Sequence, residues 1–181
     1  MKVTSFKVPG PLLVEPDIFE DARGYFFQSY SEPHFAKHGI HEKFVQDNQS
    51  RSYPKGVLRG LHFQVPPRAQ AKLVRVIRGK VFDVALDIRK GSSTFGKHVS
   101  AVLSAENKQI LYLPAGFAHA FLTLEENTEF LYKVSDAYSP EHEGGILWSD
   151  PALGITWPKL DVSYTLSEKD QKYPPLSQVR F

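Results

Sequence analysis

Leu73-Val74-Arg75-Val76-Ile77-Arg78-Gly79-Lys80-Val81-Phe82-Asp83-Val84-Ala85-Leu86-Asp87-Ile88 is the stretch that decides the fold class. In its second half Phe82, Val84, Leu86 and Ile88 share one face, with Asp83 and Asp87 on the other. That two-residue period is the signature of a β-strand. Leu73–Ile77 is rich in β-branched residues, which suit a pleated surface, and the Arg78-Gly79-Lys80 joint predicts a hairpin. Further along, Val99–Leu103, Ile110–Leu113, His119–Leu124 and Glu129–Val134 read as strands. Each is bounded by turn residues: Gly96, Ser104-Ala105-Glu106-Asn107, Pro114-Ala115-Gly116 and Glu125-Glu126-Asn127. Short strands at this even spacing predict an all-β sandwich or barrel.

Helix is scarce. Ser31–His38 is one short candidate, with Ser31 as N-cap, Pro33 in the first turn and Gly39 at the end. Ser167-Glu168-Lys169-Asp170 predicts a single turn. The first fifty residues are less regular and carry Phe19, Tyr25, Phe26, Phe27 and Tyr30. Such a segment needs apolar surface to cover it, and a second subunit is one source. The tail Tyr173-Pro174-Pro175-Leu176 is expected to wrap the surface.

Composition narrows the function classes. A chain of 181 residues with 41% hydrophobic content fits one domain, 1–181, with a sizeable core. No apolar run reaches the length of a membrane span. Met1-Lys2-Val3-Thr4-Ser5-Phe6 lacks the apolar region of a signal peptide. Cysteine is absent, which removes thiolate catalysis, disulfides and Cys-based zinc sites. A cytoplasmic enzyme is expected. A net charge of +2 without a basic block gives no footprint for nucleic acid.

The chemistry concentrates in two adjacent stretches, Arg59-Gly60-Leu61-His62-Phe63-Gln64 and Gln70-Ala71-Lys72-Leu73-Val74-Arg75. A guanidinium fork suits phosphate, an imidazole suits proton abstraction near neutral pH, and an ammonium suits a developing oxyanion. Together they read as a site that holds an anionic substrate and moves a proton on it. His62 is the candidate base, although a buried histidine satisfied by a backbone carbonyl has the same sequence signature. Asp170 is a candidate for the carboxylate that fixes its tautomer. Lys72 sits in an otherwise apolar strand, as an exposed strand lysine or an enolate stabiliser. Tyr132 is a core tyrosine or a general acid. Arg59 and Arg23 are phosphate ligands or surface ion-pair partners. Phe19, Tyr138 and Trp148 are core aromatics or stacking platforms for a nucleobase. Gln46 and Asn48 are base-edge or ribose partners, or turn residues. His119, delivered by Pro114-Ala115-Gly116-Phe117-Ala118, raises the question of a metal. With no His-x-His and no acidic ligand at matching spacing, none is expected.

The chain resembles the dTDP-4-dehydrorhamnose 3,5-epimerase family. The likeness runs through Asp21-Ala22-Arg23-Gly24, Val45-Gln46-Asp47-Asn48, Arg59-Gly60-Leu61-His62, Gln70-Ala71-Lys72-Leu73-Val74-Arg75, Phe82-Asp83-Val84, Asp87-Ile88-Arg89, Leu103-Ser104, Gly116-Phe117-Ala118-His119, Trp148-Ser149-Asp150-Pro151 and Leu166-Ser167-Glu168-Lys169-Asp170. It implies a cupin-type jelly-roll β-barrel with a few short helices, in a homodimer that exchanges N-terminal strands. It implies no metal or organic cofactor, and a dTDP-4-keto-6-deoxyhexose as substrate. By likeness, His62 is the base, Asp170 its orienting carboxylate, Lys72 the enolate stabiliser and Tyr132 the acid. Arg59 and His119 hold the diphosphate, Arg23 reaches the partner's site, and Gln46, Asp47, Asn48, Tyr138, Glu143, Lys169 and Phe19 serve the nucleotide and sugar.

Three positions depart from the family pattern. Gln28 stands where glutamate is common, so altered contacts are expected at the nucleotide end. Ala71 and Ala120 stand where glycine is common, and each is expected to bring a methyl close to a key side chain. A relative that epimerises a single carbon and a cupin that only binds a nucleotide sugar are the alternative readings. A mere binder needs no acid–base pair.

Overall fold

The computed structural model describes residues 1–181. Thirteen strands follow in chain order: β1 (Lys2–Ser5), β2 (Leu12–Glu15), β3 (Ile18–Asp21), β4 (Gly24–Phe27), β5 (Gln46–Ser52), β6 (Leu58–Gln64), β7 (Lys72–Arg78), β8 (Lys80–Asp87), β9 (His98–Ser104), β10 (Ile110–Leu113), β11 (Phe117–Thr123), β12 (Thr128–Val134) and β13 (Glu143–Gly145). They form a six-stranded sheet in the order β1-β2-β10-β7-β12-β5, a five-stranded sheet in the order β13-β6-β11-β8-β9, and the separate hairpin β3-β4. The two large sheets face each other. Val74, Val76, Leu111, Leu113 and Phe130 of the first pack against Val81, Ala85, Val99, Leu103, Phe117 and Phe121 of the second. Each sheet keeps its own edge strands, so the expected jelly roll takes the form of an open double sheet.

The hairpin predicted at Arg78-Gly79-Lys80 does not form. β7 pairs with β10 and β12, whereas β8 pairs with β11 and β9. One residue is too short to close a hairpin, whose tightest common loops have two. The chain instead turns a corner from one sheet to the other. Gly79 is required there, with φ +77° and a site where a Cβ would come within 2.4 Å of Thr128 Oγ1.

Both faces of β8 are buried, which corrects the simple reading of its alternation. Val84, Leu86 and Ile88 join Leu61, Phe63, Ala118, Ala120, Ile146 and Leu153 in a second core, closed from outside by Trp157, Leu176 and Phe181. Asp83 and Asp87 lie on the opposite face, with no solvent exposure. Asp87 accepts hydrogen bonds from Arg89, Ser92 and Thr94, which tie down the following turn. A third core covers the outer face of the six-stranded sheet with Val14, Phe35, Ile40, Ala71, Leu73, Ile110 and Tyr112.

The single α-helix, α1 (Glu32–Ala36), is shorter than the Ser31–His38 prediction. Ser31 holds the N-cap position without a side-chain cap bond, and Gly39 at φ +84° ends the segment. The first fifty residues are more regular than expected, supplying β1 to β4 and most of β5. No helix is long and apolar enough to cross a membrane.

Candidate active site

The site lies between the two large sheets. β6, β8 and β11 of the five-stranded sheet supply Arg59, His62, Asp83 and His119; β5, β7 and β12 of the other supply Gln46, Asn48, Lys72 and Tyr132. Two adjoining cavities, of about 270 and 260 Å³, share His62, Lys72, Tyr132 and Glu143. The first is also lined by Gln46, Asn48 and Tyr138, the second by Arg59, His119, Lys169 and Asp170. Concave, partly preformed sites of this size are where small ligands bind.

Strand periodicity alone separates Arg59 from His62, because residues three apart on a strand point to opposite faces. A bulge on β6, opposite His119–Phe121 of β11, changes this. His119 pairs with His62, but Phe121 pairs with Arg59, and one residue of β6 is taken up between them. Gly60 sits in that irregularity with φ +119°, and a Cβ there would lie 2.5 Å from both Ala120 Cβ and the His119 carbonyl oxygen. Arg59 and His62 therefore line the same cavity.

His62 Nε2 is 2.5 Å from Asp170 Oδ1. Burial works to raise the Asp170 pKa. The His62 bond and charge, with help from Ser167 and the Gly60 backbone, outweigh it and hold the carboxyl below the usual range. An ionised carboxylate only accepts, so Nε2 carries the proton and Nδ1 is the basic nitrogen. Asp170 is held by its turn, where its backbone N–H donates to Ser167 Oγ at 3.1 Å.

A second histidine–carboxylate pair faces the same cavity. His119 Nε2 lies 3.0 Å from both oxygens of Asp83. Burial lowers the His119 pKa, against the pull of Asp83, so the ring is neutral at pH 7. Asp83 was missed as a site residue. The available signal was a carboxylate on the same strand face as Val81 and Ala85.

Lys72 Nζ makes no hydrogen bond or ion pair. Burial pushes its pKa down to about 8, with Asp83 and Glu143 pulling upward. Tyr132 shares the inner face of its sheet with Lys72, because Tyr132 pairs with Val74 and Val134 with Lys72. Burial raises the Tyr132 pKa, Arg59 opposing and Glu143 adding to it, so the phenol stays protonated. Arg59 makes no ion pair, and its one hydrogen bond is a 3.5 Å contact to Ser52 Oγ. At the mouth, Glu143 accepts from Tyr138 Oη at 2.9 Å and from Lys169 Nζ. Burial works to raise the Glu143 pKa, but those bonds hold it below the usual range. Gln46 donates to Asn48 at 2.8 Å.

Other residues singled out by sequence lie elsewhere. Asp47 points to the opposite face of β5 from Gln46 and Asn48, where it pairs with Lys133 at 2.8 Å. Phe19 and Arg23 line a separate concavity on the β3–β4 hairpin, where Arg23 is bound to Asp21 of its own turn. Gln28 lines a small cavity with Phe19, His34 and Phe35. Trp148 packs on Trp157 and Tyr164. Ala71 and Ala120 belong to the two outer cores, and neither lines the cavity, although the Ala120 methyl packs against Gly60 between Arg59 and His62. No group of three or more His, Asp and Glu side chains is arranged to hold a metal ion.

A jelly roll with a histidine–carboxylate dyad, a protonated phenol and an unpaired ammonium around one cavity has the groups that acid–base isomerisation requires. The sequence model of the dTDP-4-dehydrorhamnose 3,5-epimerase family matches residues 5–178, and the chain belongs to that family. The dTDP-4-dehydrorhamnose 3,5-epimerase of Pseudomonas aeruginosa is 53% identical over 173 residues, covering 95% of this chain and 94% of the relative. That of Salmonella typhimurium is 53% identical over 179 residues, covering 98% and 97%. The crystal structure of the Legionella pneumophila dTDP-6-deoxy-D-glucose-3,5-epimerase, in complex with dTDP-4-keto-L-rhamnose, superimposes with a TM-score of 0.94 at 44% identity, covering 99% of this chain and 94% of that one.

Proposed function

We propose that the chain epimerises C3 and C5 of dTDP-4-dehydro-6-deoxyglucose, giving dTDP-4-dehydro-L-rhamnose. The observation that carries this reading is the pairing of a base from one sheet with an acid from the other across a single cavity: His62 on β6, bound to Asp170 of the C-terminal turn, and Tyr132 on β12. Inversion at carbon requires a proton to leave one face and another to arrive on the opposite face. A base and an acid on facing sheets meet that requirement.

The C4 ketone acidifies the hydrogens on both neighbouring carbons. In a D-gluco chair the C3 and C5 hydrogens are axial on the same ring face, so one base serves both. His62 Nδ1 takes the proton, and Asp170 stabilises the imidazolium that forms. The electron pair moves into an enolate at O4, which the Lys72 ammonium neutralises. Tyr132, or a water it positions, reprotonates the carbon from the other face. Once the imidazolium has passed its proton to solvent and the phenol has regained one, repetition at the second carbon completes the double inversion. Arg59 and His119 take the diphosphate, His119 accepting a proton to do so, while Gln46, Asn48, Tyr138, Glu143 and Lys169 receive the nucleotide and sugar. No step transfers electrons to an acceptor, so no redox cofactor enters the scheme.

Conversion of the ketosugar nucleotide in D2O, followed by NMR, tests the reaction. Deuterium at both C3 and C5 of the product is expected. Label at one carbon would mean a single-centre epimerase, and no label with intact binding would mean a binding protein. Tyr132→Phe is expected to slow net epimerisation by about 10²-fold while leaving initial proton exchange closer to wild type, because exchange needs mainly the base. Equal loss of both would remove Tyr132 from the acid role.

The active unit is read as a homodimer. Phe19, Tyr25 and Phe26 on the β3–β4 hairpin are 65%, 57% and 69% exposed, an apolar surface that a second copy would cover. The β3–β4 hairpin pairs with neither large sheet, which supports it as part of the exchanged N-terminal segment. Arg23 at its tip is 90% exposed and is read as reaching the partner's site. Arg23→Ala should then raise the nucleotide dissociation constant about tenfold or more. A fully active monomer in sedimentation would refute the exchange. The cytoplasm is the compartment that fits a cysteine-free sugar-nucleotide enzyme.

A further inference from the structure

The geometry points to Tyr173, in the Pro-rich tail, as a positioning residue for the His62 imidazole. This rests on His62 being the base. The Tyr173 ring meets the His62 ring edge-on, with centroids 5.7 Å apart and an interplanar angle of 72°. Gly145 on β13 pairs directly with His62 on β6. A Cβ on Gly145 would fall 2.2–2.4 Å from three atoms of the Tyr173 ring. The hydroxyl-bearing end of the ring therefore sits on the bare backbone beside the base, and the ring flanks the imidazole on that side.

Two restraints reach His62 from one short segment. Asp170 fixes Nε2 by a hydrogen bond at 2.5 Å, and Tyr173, three residues on, limits the ring by packing. The segment is itself held. Leu147 N–H donates to the Pro174 carbonyl at 2.9 Å, and Leu176 N–H donates to Asp150 Oδ2 at 2.8 Å. Pro174 and Pro175 follow Tyr173 directly, and their fixed φ angles leave the tail little freedom. The Tyr173 hydroxyl is buried and makes no well-formed hydrogen bond, with the Lys169 ammonium as its polar neighbour, and Tyr173 does not line the cavity. The part that meets the imidazole is the ring, and the role is assigned to it. Rotation of an imidazole away from its attack geometry is costly, since a misplacement of about 1 Å can lower a rate by about 10²-fold.

The test compares Tyr173→Phe, Tyr173→Leu and Tyr173→Ala in the full chain, with kcat and KM for the ketosugar nucleotide and C3/C5 deuterium exchange as readouts. Tyr173→Phe should keep kcat within about twofold of wild type, because it retains the ring. Tyr173→Ala should lower kcat and the exchange rate together by about tenfold or more, with KM moved by less than about threefold. Tyr173→Leu, which keeps the segment packed on Gly145, should give a folded protein with an intermediate loss of kcat. Equal damage from Phe and Ala would assign the effect to the hydroxyl and overturn the proposal. So would a change confined to KM, or wild-type kcat in both Leu and Ala. His62→Ala in the same assay separates the two readings: exchange that persists there removes the base itself, whatever the Tyr173 variants do.

Discussion

His62→Ala is expected to abolish deuterium uptake at both C3 and C5 and to lower kcat by about 10²–10⁴-fold, the usual contribution of a positioned general base. KM should change little, because Arg59 and the cavity mouth are untouched. Both carbons should fail together, since one imidazole serves both. Asp170→Asn should lose part of the same effect: the ring stays in place, but the charge that stabilises the imidazolium is gone. Exchange at wild-type rate in His62→Ala would end the assignment, and exchange lost at one carbon only would require a second base. His119, already oriented by Asp83 in the same cavity, is then the residue to examine.

Lys72→Met should lower kcat by about 10²–10³-fold, the scale of removing one donor from an oxyanion site, and should also stabilise the fold. Both effects come from holding a half-buried ammonium between the sheets with no counter-ion in contact. In the folded chain the Lys72 pKa is about 8, below its ordinary 10.5, so the folded state binds fewer protons than the unfolded state between those values. Stability tied to this group therefore rises as pH climbs through that window. At pH 7 the charged lysine costs stability, and Lys72→Met should recover about 2–3 kcal/mol. The advantage should disappear above pH 10.5. Catalysis runs the other way. As pH rises past about 8 the ammonium deprotonates and the enolate loses its neutralising charge, so wild-type kcat should fall on that alkaline limb. Lys72→Met should lack the limb. A variant both slower and less stable at pH 7 would contradict the buried-ammonium reading.

The residues that carry the chemistry were legible because their types are costly in a strand. An arginine, a histidine and a lysine within Arg59–Lys72 have little reason to enter a core unless a ligand or a partner satisfies them. What escaped the sequence depended on long-range pairing. The Asp83–His119 pair joins strands whose adjacency appears only once β8 and β11 are in register. The corner at Gly79 looked like a hairpin because the local signal, a glycine between two strands, is the same for both. Arg59 and His62 meet in one cavity only through the bulge at Gly60, which no two-residue periodicity contains. The family motif around Asp47 suggested a site residue, but alternation along β5 sends Asp47 to the other face, against Lys133. Ala71 and Ala120 were adjacent in sequence to Lys72 and His119, yet in a strand immediate neighbours point apart.

The most direct measurement of the central claim is the structure of the chain bound to dTDP-4-dehydro-6-deoxyglucose or a non-enolisable analogue. The expected result places C3 or C5 within about 3.5 Å of His62 Nδ1, and O4 within about 3 Å of Lys72 Nζ on the side facing Tyr132. A sugar ring seated elsewhere, with the diphosphate between His62 and Lys72, would contradict it.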